Sequence, residues 1–341
     1  MSWQSADTAF TRTSDDAVRC VLCPYRCRLR DGETGACKVR RRRGRSVQTL
    51  TFSTTVRHWD AVERKPFYHF RPGSRVLTLA PPGCSFRCDY CVNHRLSQYG
   101  RGQEPLAGPP PEAVDVPELV RAAARESASL GLSYSEPSLA PELTLALAAE
   151  ARPAGVPVVW KSNGFLTPEA TARLAPALSA VNIDIKAAEE EPHRRLTGAP
   201  LGPVLDTLRR MHAAGVWVEA TTPLIPGTSA DEAQLAAIAG FLASVDRDIP
   251  WHLLRFTPTF RMDEYPPTGP DALERARDIG RAAGLRHVYV ERALGADGRT
   301  TYCPGCGAAA VRRDIWALGH LGLDAQGRCQ ECRTRITGIW T

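Results

Sequence analysis

From residue 75 onward, short apolar stretches alternate with longer segments in which alanine and leucine recur at helical spacing. The apolar stretches fall at 75–80, 129–134, 156–161, 180–185, 215–222, 251–256 and 286–291. They are short and apolar on both faces, as expected for strands buried on both sides of a parallel sheet. Helical segments lie between them at 114–127, 139–152, 167–178, 201–214, 229–245 and 270–284. Thr167-Pro168-Glu169 has the form of a helix start, and Asp231-Glu232 places acids in a first turn, while Gly215 and Gly284 stand where helices should stop. The last four strands recur about every 35 residues, the spacing of successive βα units. The pattern predicts an α/β fold: a partial (β/α)6-type TIM barrel of about six strands, with its chemistry on the loops after the strands.

The flanks read differently. Residues 1–74 form an expected small cysteine-bearing module with short β segments such as Ser46–Phe52, then an ordered connection over 62–74. Residues 97–113 are a proline- and glycine-rich connection, and residues 301–341 form a tail with its own cysteines. The expected division is therefore 1–74, 75–300 and 301–341.

The 341 residues are 43% hydrophobic, enough for a sizeable core and against global disorder. No apolar run approaches the roughly 20 residues of a membrane span, and Met1 to Asp16 is polar with no signal-peptide core, so the expected location is cytoplasmic. The net charge of +6 is concentrated in Lys38 to Arg45, which holds six basic residues in eight. That run reads as a solvated hairpin tip. No helix-turn-helix or RNA-binding signature supports a nucleic-acid partner.

Eleven cysteines are many for a reducing compartment, and they fall in three groups. These are Cys20, Cys23, Cys27 and Cys37; then Cys84, Cys88 and Cys91; then Cys303, Cys306, Cys329 and Cys332. Close C-x2-C pairs gather thiolates in the arc a metal needs and are poor geometry for a mutual disulfide. Three metal sites account for every cysteine, whereas a disulfide framework leaves an odd one over.

The central group, Cys84-Ser85-Phe86-Arg87-Cys88-Asp89-Tyr90-Cys91, follows the first expected barrel strand. Three thiolates hold three irons of a cubane and leave the fourth iron open. An open iron can chelate the amino and carboxylate groups of S-adenosylmethionine (SAM), and one electron then breaks the S–C5′ bond to give a 5′-deoxyadenosyl radical. A zinc site with His94 as fourth ligand is the competing reading.

C-x3-C-x-aromatic-C at this place resembles the radical SAM superfamily. The wider chain resembles one branch, the radical SAM protein of the AmmeMemoRadiSam system, related to the pyruvate formate-lyase activating enzymes. The likeness rests on Cys20-x2-Cys23-Pro24-x2-Cys27, Gly35-Ala36-Cys37, Glu63 to Ser74, Asn182-Ile183-Asp184-Ile185-Lys186, Ile249-Pro250-Trp251-His252 and the tail cysteines. It implies SAM-binding roles for Tyr90, for Ser135 and Glu136 (in Tyr134-Ser135-Glu136-Pro137) toward the ammonium, for Asn163, and for Asp184 and Lys186 toward the ribose and carboxylate. Pro226-Gly227-Thr228 is a candidate for the adenine. Arg255 is a better candidate than His252 for the site, since the two residues should face different ways. The sequence departs from the branch at Val92-Asn93-His94, at Thr257 and at Lys161, where the activating enzymes carry an acid.

The tail cysteines suggest a zinc ribbon, with rubredoxin-like iron as the rival. The N-terminal four suit structural zinc or an auxiliary [4Fe–4S] cluster, and zinc is the expectation. The functional expectation is hydrogen abstraction from a small molecule or peptide. An activase forming a glycyl radical on a partner protein is the alternative, and a non-catalytic zinc-binding interaction module is the alternative of another class. The implied partners are a one-electron donor such as flavodoxin or ferredoxin, and Memo-like and AMMECR-like proteins.

Overall fold

The computed structural model describes residues 3–14, 17–102, 112–290 and 294–341. Position 291 of the last expected strand and positions 103–111 of the proline-rich connection lie outside the described residues. The central sheet has eight strands side by side in chain order. They are β1 (Arg57–Ala61), β2 (Arg75–Leu79), β3 (Ser129–Leu132), β4 (Val158–Ser162), β5 (Ala180–Asp184), β6 (Trp217–Leu224), β7 (Trp251–Arg255) and β8 (Val288–Val290). From β2 to β8 every pairing is parallel, with Leu130 opposite Leu77 and Val158, and Lys161 opposite Asn182. Strand β1 runs antiparallel on the outer edge of β2, with Trp59 opposite Leu77. Among the described residues β1 and β8 do not pair, so the barrel stays open on one side.

The apolar runs became strands where expected, and the ends moved for local reasons. β6 starts at Trp217 because Gly215 adopts φ 80° and first closes the preceding helix. Besides one helical turn at His94–Ser97, the helices among the described residues are α1 (Val116–Arg125), α2 (Pro141–Ala151), α3 (Pro168–Leu174), α4 (Glu190–Thr197), α5 (Gly202–Ala213), α6 (Glu232–Val245) and α7 (Pro270–Ala282). Thr167 caps α3 by accepting from the Ala170 amide, and Asp231 caps α6 by accepting from that of Ala233. α4 has no counterpart in the apolar pattern. It buries only His193, Leu196 and Thr197, and Gly198 ends it at φ 76°.

The lower half of the barrel is filled by the connection after β1. Val62, Phe67 and Phe70 pack against Val76, Val159 and Ala180 inside the strands. A buried polar layer lies above them. The Glu219 carboxylate accepts from the Tyr68 and His69 amides and is 2.6 Å from His252 Nε2. The Asn182 amide donates to the Pro66 carbonyl. The expected boundary at 74 therefore runs through the structure of the barrel: β1 is part of its sheet, and residues 62–74 are its plug.

The tail seals the underside. It forms a three-stranded sheet of Thr301–Tyr302, Ala309–Arg313 and Leu318–Leu321. The buried Arg313 guanidinium donates to the Arg299 carbonyl, the Thr301 hydroxyl and the Tyr68 carbonyl, and lies over the Tyr68 ring. Ile339 exchanges backbone hydrogen bonds with His69 and Arg71. His69 also meets Tyr289, His287 and Trp340.

The basic run is a hairpin, Arg40–Arg43 paired with Ser46–Thr49. Strand alternation divides its charge between two faces. Lys38, Arg43 and Arg45 are exposed. Arg40 is buried and bidentate to Glu142 of α2, and Arg42 turns in to the Leu29 and Gly44 carbonyls. The run is only in part a solvated tip: Arg40 docks the N-terminal module on the barrel, and Arg42 ties that module together from within.

Candidate active site

Strand β2 delivers its chain into the cysteine loop through Gly83, at φ 95°. A Cβ there would lie 2.8 Å from Val39 and 3.3 Å from the Cys37 carbonyl, so the close approach of the two cysteine loops requires glycine. Arg101 clamps the loops together. Its guanidinium donates to the Cys84 carbonyl at 2.8 Å, the Phe86 carbonyl at 2.7 Å and the Ala36 carbonyl at 2.7 Å. Cys84 Sγ accepts from the Phe86 amide and from Asn163 Nδ2, and Cys91 Sγ lies 3.2 Å from the Ser97 hydroxyl. Burial pushes the Cys84 thiol well above its ordinary value and raises Cys88 to about 12.

The sulfurs of this triplet are not gathered around a single point. Among the described residues, only the four tail cysteines bring their sulfurs all within 4.8 Å of one another. A cubane spreads its thiolates because each binds a different iron, and the triplet is not drawn in to the radius of a single ion. His94 does not complete an ion site. Its Nδ1 lies 3.1 Å from the Cys91 carbonyl oxygen and its ring stacks on Phe260 at 4.3 Å.

The three cysteines line one cavity of about 450 Å³ at the C-terminal ends of the strands. The same cavity is lined by Tyr90, Ser135, Glu136, Asn163, Asp184, Lys186 and Arg255, so five separate stretches of chain bring every expected cofactor residue to one place. His252 is buried below, against Glu219 and Tyr68, and faces away from it. Pro226 and Gly227 line a separate surface depression with Pro266 to Asp271.

Glu136 is 2% exposed and accepts from the Ser162 hydroxyl at 2.6 Å and from the Asn163 and Ser138 amides at 2.8 and 2.9 Å. Burial raises its pKa, and these donors oppose the rise. The preceding Tyr134 sits at φ 69°, a conformation a bulky residue adopts only under constraint. The constraint is visible: its hydroxyl donates to Asp60 at 3.0 Å, and Lys65 of the plug lies 3.9 Å over its ring.

On the opposite wall, Asp184 is held between Lys161 and Lys186, and Lys161 also donates to Asn182 at 2.8 Å. Burial works against the Asp184 charge, but the two lysines outweigh it and hold its pKa below the usual range. Burial likewise opposes the Lys186 charge, and Asp184, Tyr90 and Cys88 hold it well above its ordinary value. The cavity therefore presents Lys161, Lys186, Arg64 and Arg255 against Glu136 and Asp184.

A family model of the radical SAM superfamily matches residues 79–237, from the end of β2 through β6 into α6. An uncharacterized protein of Methanocaldococcus jannaschii is 32% identical over 331 residues, covering 96% of this chain and 97% of its own. The chain belongs to the radical SAM superfamily. As a radical SAM enzyme it carries a domain of the kind that holds a [4Fe–4S] cluster and takes SAM. It is also similar to the isethionate sulfite-lyase activating enzyme of Nitratidesulfovibrio vulgaris, 31% identical over 156 residues, 44% of this chain and 51% of the relative. The chain thus matches about half the length of that activating enzyme. A radical SAM methyltransferase from Sphaerobacter thermophilus shares the fold, with TM-score 0.50 and 17% identity over 65% of this chain and 68% of its own.

Four contributors to this radical SAM site escaped the sequence reading. Arg101 lies in a segment that reads as a plain loop. Asp60 and Lys65 reach the site region from outside the expected barrel. Trp316 comes from the tail to line the cavity mouth beside Arg64, whose guanidinium lies 4.9 Å over its ring. The one signal for the lysine pair was Lys161 itself, a base where the activating enzymes carry an acid.

Proposed function

We propose that this radical SAM enzyme cleaves SAM reductively and abstracts hydrogen from an anionic small-molecule or peptide substrate. The observation that carries the reading is the single cavity in which the cysteine triplet meets an excess of cationic side chains. Cys84, Cys88 and Cys91 would hold the [4Fe–4S] cluster, which supplies the electron that splits SAM into methionine and a 5′-deoxyadenosyl radical. The chain's own residues would bind and orient. Glu136 and the Ser135 backbone take the SAM ammonium, Asp184 a ribose hydroxyl, and Lys186 the carboxylate. Tyr90 walls the cavity beside Phe256. Asn163 is a positioning residue, joining Cys84 Sγ to the Glu136 carboxylate through its side chain and its own amide. Arg255 remains for the substrate, with Lys161 and Lys186 around Asp184 adding positive charge beside it, and a carboxylate or phosphate group suits that surrounding.

A second reading, an activase that forms a glycyl radical on a partner protein, is favoured by the activating-enzyme relatives. For either reading the electron donor would be a flavodoxin- or ferredoxin-type protein. Memo-like and AMMECR-like partners follow from the branch resemblance. The tail cysteines would hold zinc. Metal–sulfur bonds of about 2.3 Å set tetrahedral sulfurs about 3.8 Å apart, and here Cys303–Cys332 and Cys306–Cys329 are at 3.5 and 3.9 Å. All eleven cysteines are free of disulfides, which suits a cytoplasmic protein. Among the described residues no helix is long and apolar enough to cross a membrane.

The test is anaerobic reconstitution with iron and sulfide, then dithionite and SAM, with 5′-deoxyadenosine quantified beside Cys88→Ala. Formation by the wild type alone supports the reading; no formation, with zinc bound and no cubane signal, removes it. Deuterium transfer into 5′-deoxyadenosine from a labelled carboxylate, phosphate or glycine-bearing peptide then separates the two readings.

A further inference from the structure

We propose that the tail is part of the substrate site: the tip of its hairpin, through Trp316, holds an apolar arm of a small organic acid whose anionic head lies at Arg255. This rests on the anionic-substrate reading above and adds the other half of the molecule recognised. The tail hairpin, Ala309–Arg313 paired with Leu318–Leu321, stands between the two cysteine pairs. Backbone hydrogen bonds tie its base to both pairs. The Cys303 amide donates to the Ala308 carbonyl at 2.8 Å, the Gly322 amide to that of Ala310 at 2.7 Å, and the Gln330 amide to that of Gly322 at 3.0 Å. Its side is fixed to the plug. A Cβ on Gly73 would lie 2.9 Å from the Leu318 Cβ, so the close packing of the hairpin on the plug needs glycine there. The buried Arg313 reaches the Tyr68 carbonyl from the same hairpin.

A hairpin held at its base and side presents its turn, Asp314 to Ala317, which the Asp314 amide closes on the Ala317 carbonyl at 2.9 Å. That turn carries two large apolar side chains, Ile315 and Trp316, 45% and 39% exposed. A tail that only sealed the underside would bury them in its own core, beside Leu323 and Trp340. Instead Trp316 lines the SAM cavity, and the Arg64 guanidinium over its ring fixes the attitude of the indole. From the cluster loop, Val92 lines the same cavity and is 70% exposed. Two unrelated segments thus turn apolar surface toward one opening, which marks the contact of a ligand. The size of the cavity says which ligand. About 450 Å³ lies within the range that a single drug-sized molecule fills, and SAM is itself of that size. A substrate can bring only its reacting part inside, and the rest lies at the opening. Arg255, exposed at the end of β7, suits a carboxylate head, and Trp316 and Val92 suit the hydrocarbon attached to it.

The test is a chain-length series. Reconstituted full-length enzyme with SAM bound is titrated anaerobically, by calorimetry, with acetate, butyrate, hexanoate and octanoate, and with octanol as the uncharged counterpart. The expected result is an affinity that rises about threefold per added methylene from butyrate to octanoate. Trp316→Ala should flatten that slope and Trp316→Phe should restore most of it. Arg255→Leu should weaken every acid by a common factor and keep the slope. A merely structural Trp316 would leave the slope where it is. The same slope in Trp316→Ala as in the wild type, or no binding of octanoate, overturns the proposal. Equal binding of octanol and octanoate overturns instead the anionic-substrate reading on which the proposal rests, so the two failures are told apart. Metal retained by the tail in each variant reports that the hairpin is still seated.

Discussion

The two ends of the barrel are built from the same strands and treat polar groups in opposite ways. At the upper end, Glu136 just past β3, Lys161 of β4, Asp184 of β5 and Arg255 of β7 point charge into an open cavity, and Asp184 holds both Lys161 and Lys186. At the lower end, the Glu219 carboxylate is saturated by two amides and two rings, and aromatic and imidazole rings from the plug and the tail leave no opening. One end presents its charges to a cavity; the other turns most of its polar groups on one another. The difference implies that substitutions above should remove chemistry and those below should remove stability.

The largest expected effect is from Cys88→Ala, which should reduce 5′-deoxyadenosine to background while the unfolding midpoint moves by a few degrees at most. Persistent cleavage would break the assignment of the upper end. Cys303→Ala attacks the other end. Structural zinc binding is worth on the order of 10 kcal/mol, so the tail should lose its fold and uncover the plug, lowering the midpoint by more than about 10 °C. SAM cleavage measured on the cold, folded fraction should survive. Equal loss of both would merge the two ends into one functional unit.

Asp184→Asn sharpens the boundary, since it should cost on both scales. It leaves Lys161 and Lys186 without their counter-charge, a destabilisation of about 3 kcal/mol for a partly buried set, and should weaken SAM binding at least about tenfold by calorimetry. Adding Lys161→Met should recover part of the stability and none of the SAM affinity.

Acid should weaken the lower end. Burial depresses His287 to about 4, against a little of the opposing attraction of Asp248 and Glu219, and drives His69 well below its ordinary value. The unfolded chain takes up these protons near pH 6.5 and the folded chain does not, so stability is full above that pH and falls as pH drops toward the folded value. Between pH 7.5 and 5.5 His287 should account for about 1 kcal/mol, read by urea unfolding. His287→Gln should flatten the slope, and an unchanged slope would remove this account. The smallest effect is Asn163→Ala, which takes a donor from Cys84 Sγ. At about 1 kcal/mol, the cluster potential should become roughly 40 mV more negative with its iron content unchanged.

The upper end was legible because its signals are local. Three cysteines within eight residues, and Asp184 two residues from Lys186, need no knowledge of the fold. What was not legible depends on register. Lys161 reaches Asp184 only because β4 and β5 place it opposite Asn182. Strand β1, Arg57–Ala61, has too little apolar content to read as a strand and exists because β2 offers it an edge. Arg40 of the basic hairpin turned inward because Glu142, about a hundred residues away, stands ready for it. The plug could be seen as ordered from its composition, but its burial inside the strands is a property of the closed structure.

The contact of Ile339 with His69 also bears on how the chain is made. Ile339 follows His69 by 270 residues of sequence, so the underside closes only when the chain that lies between them is in place. Contacts of such sequence separation form slowly. Until those contacts form, the cysteine loops above are present and the molecule below them is not yet locked.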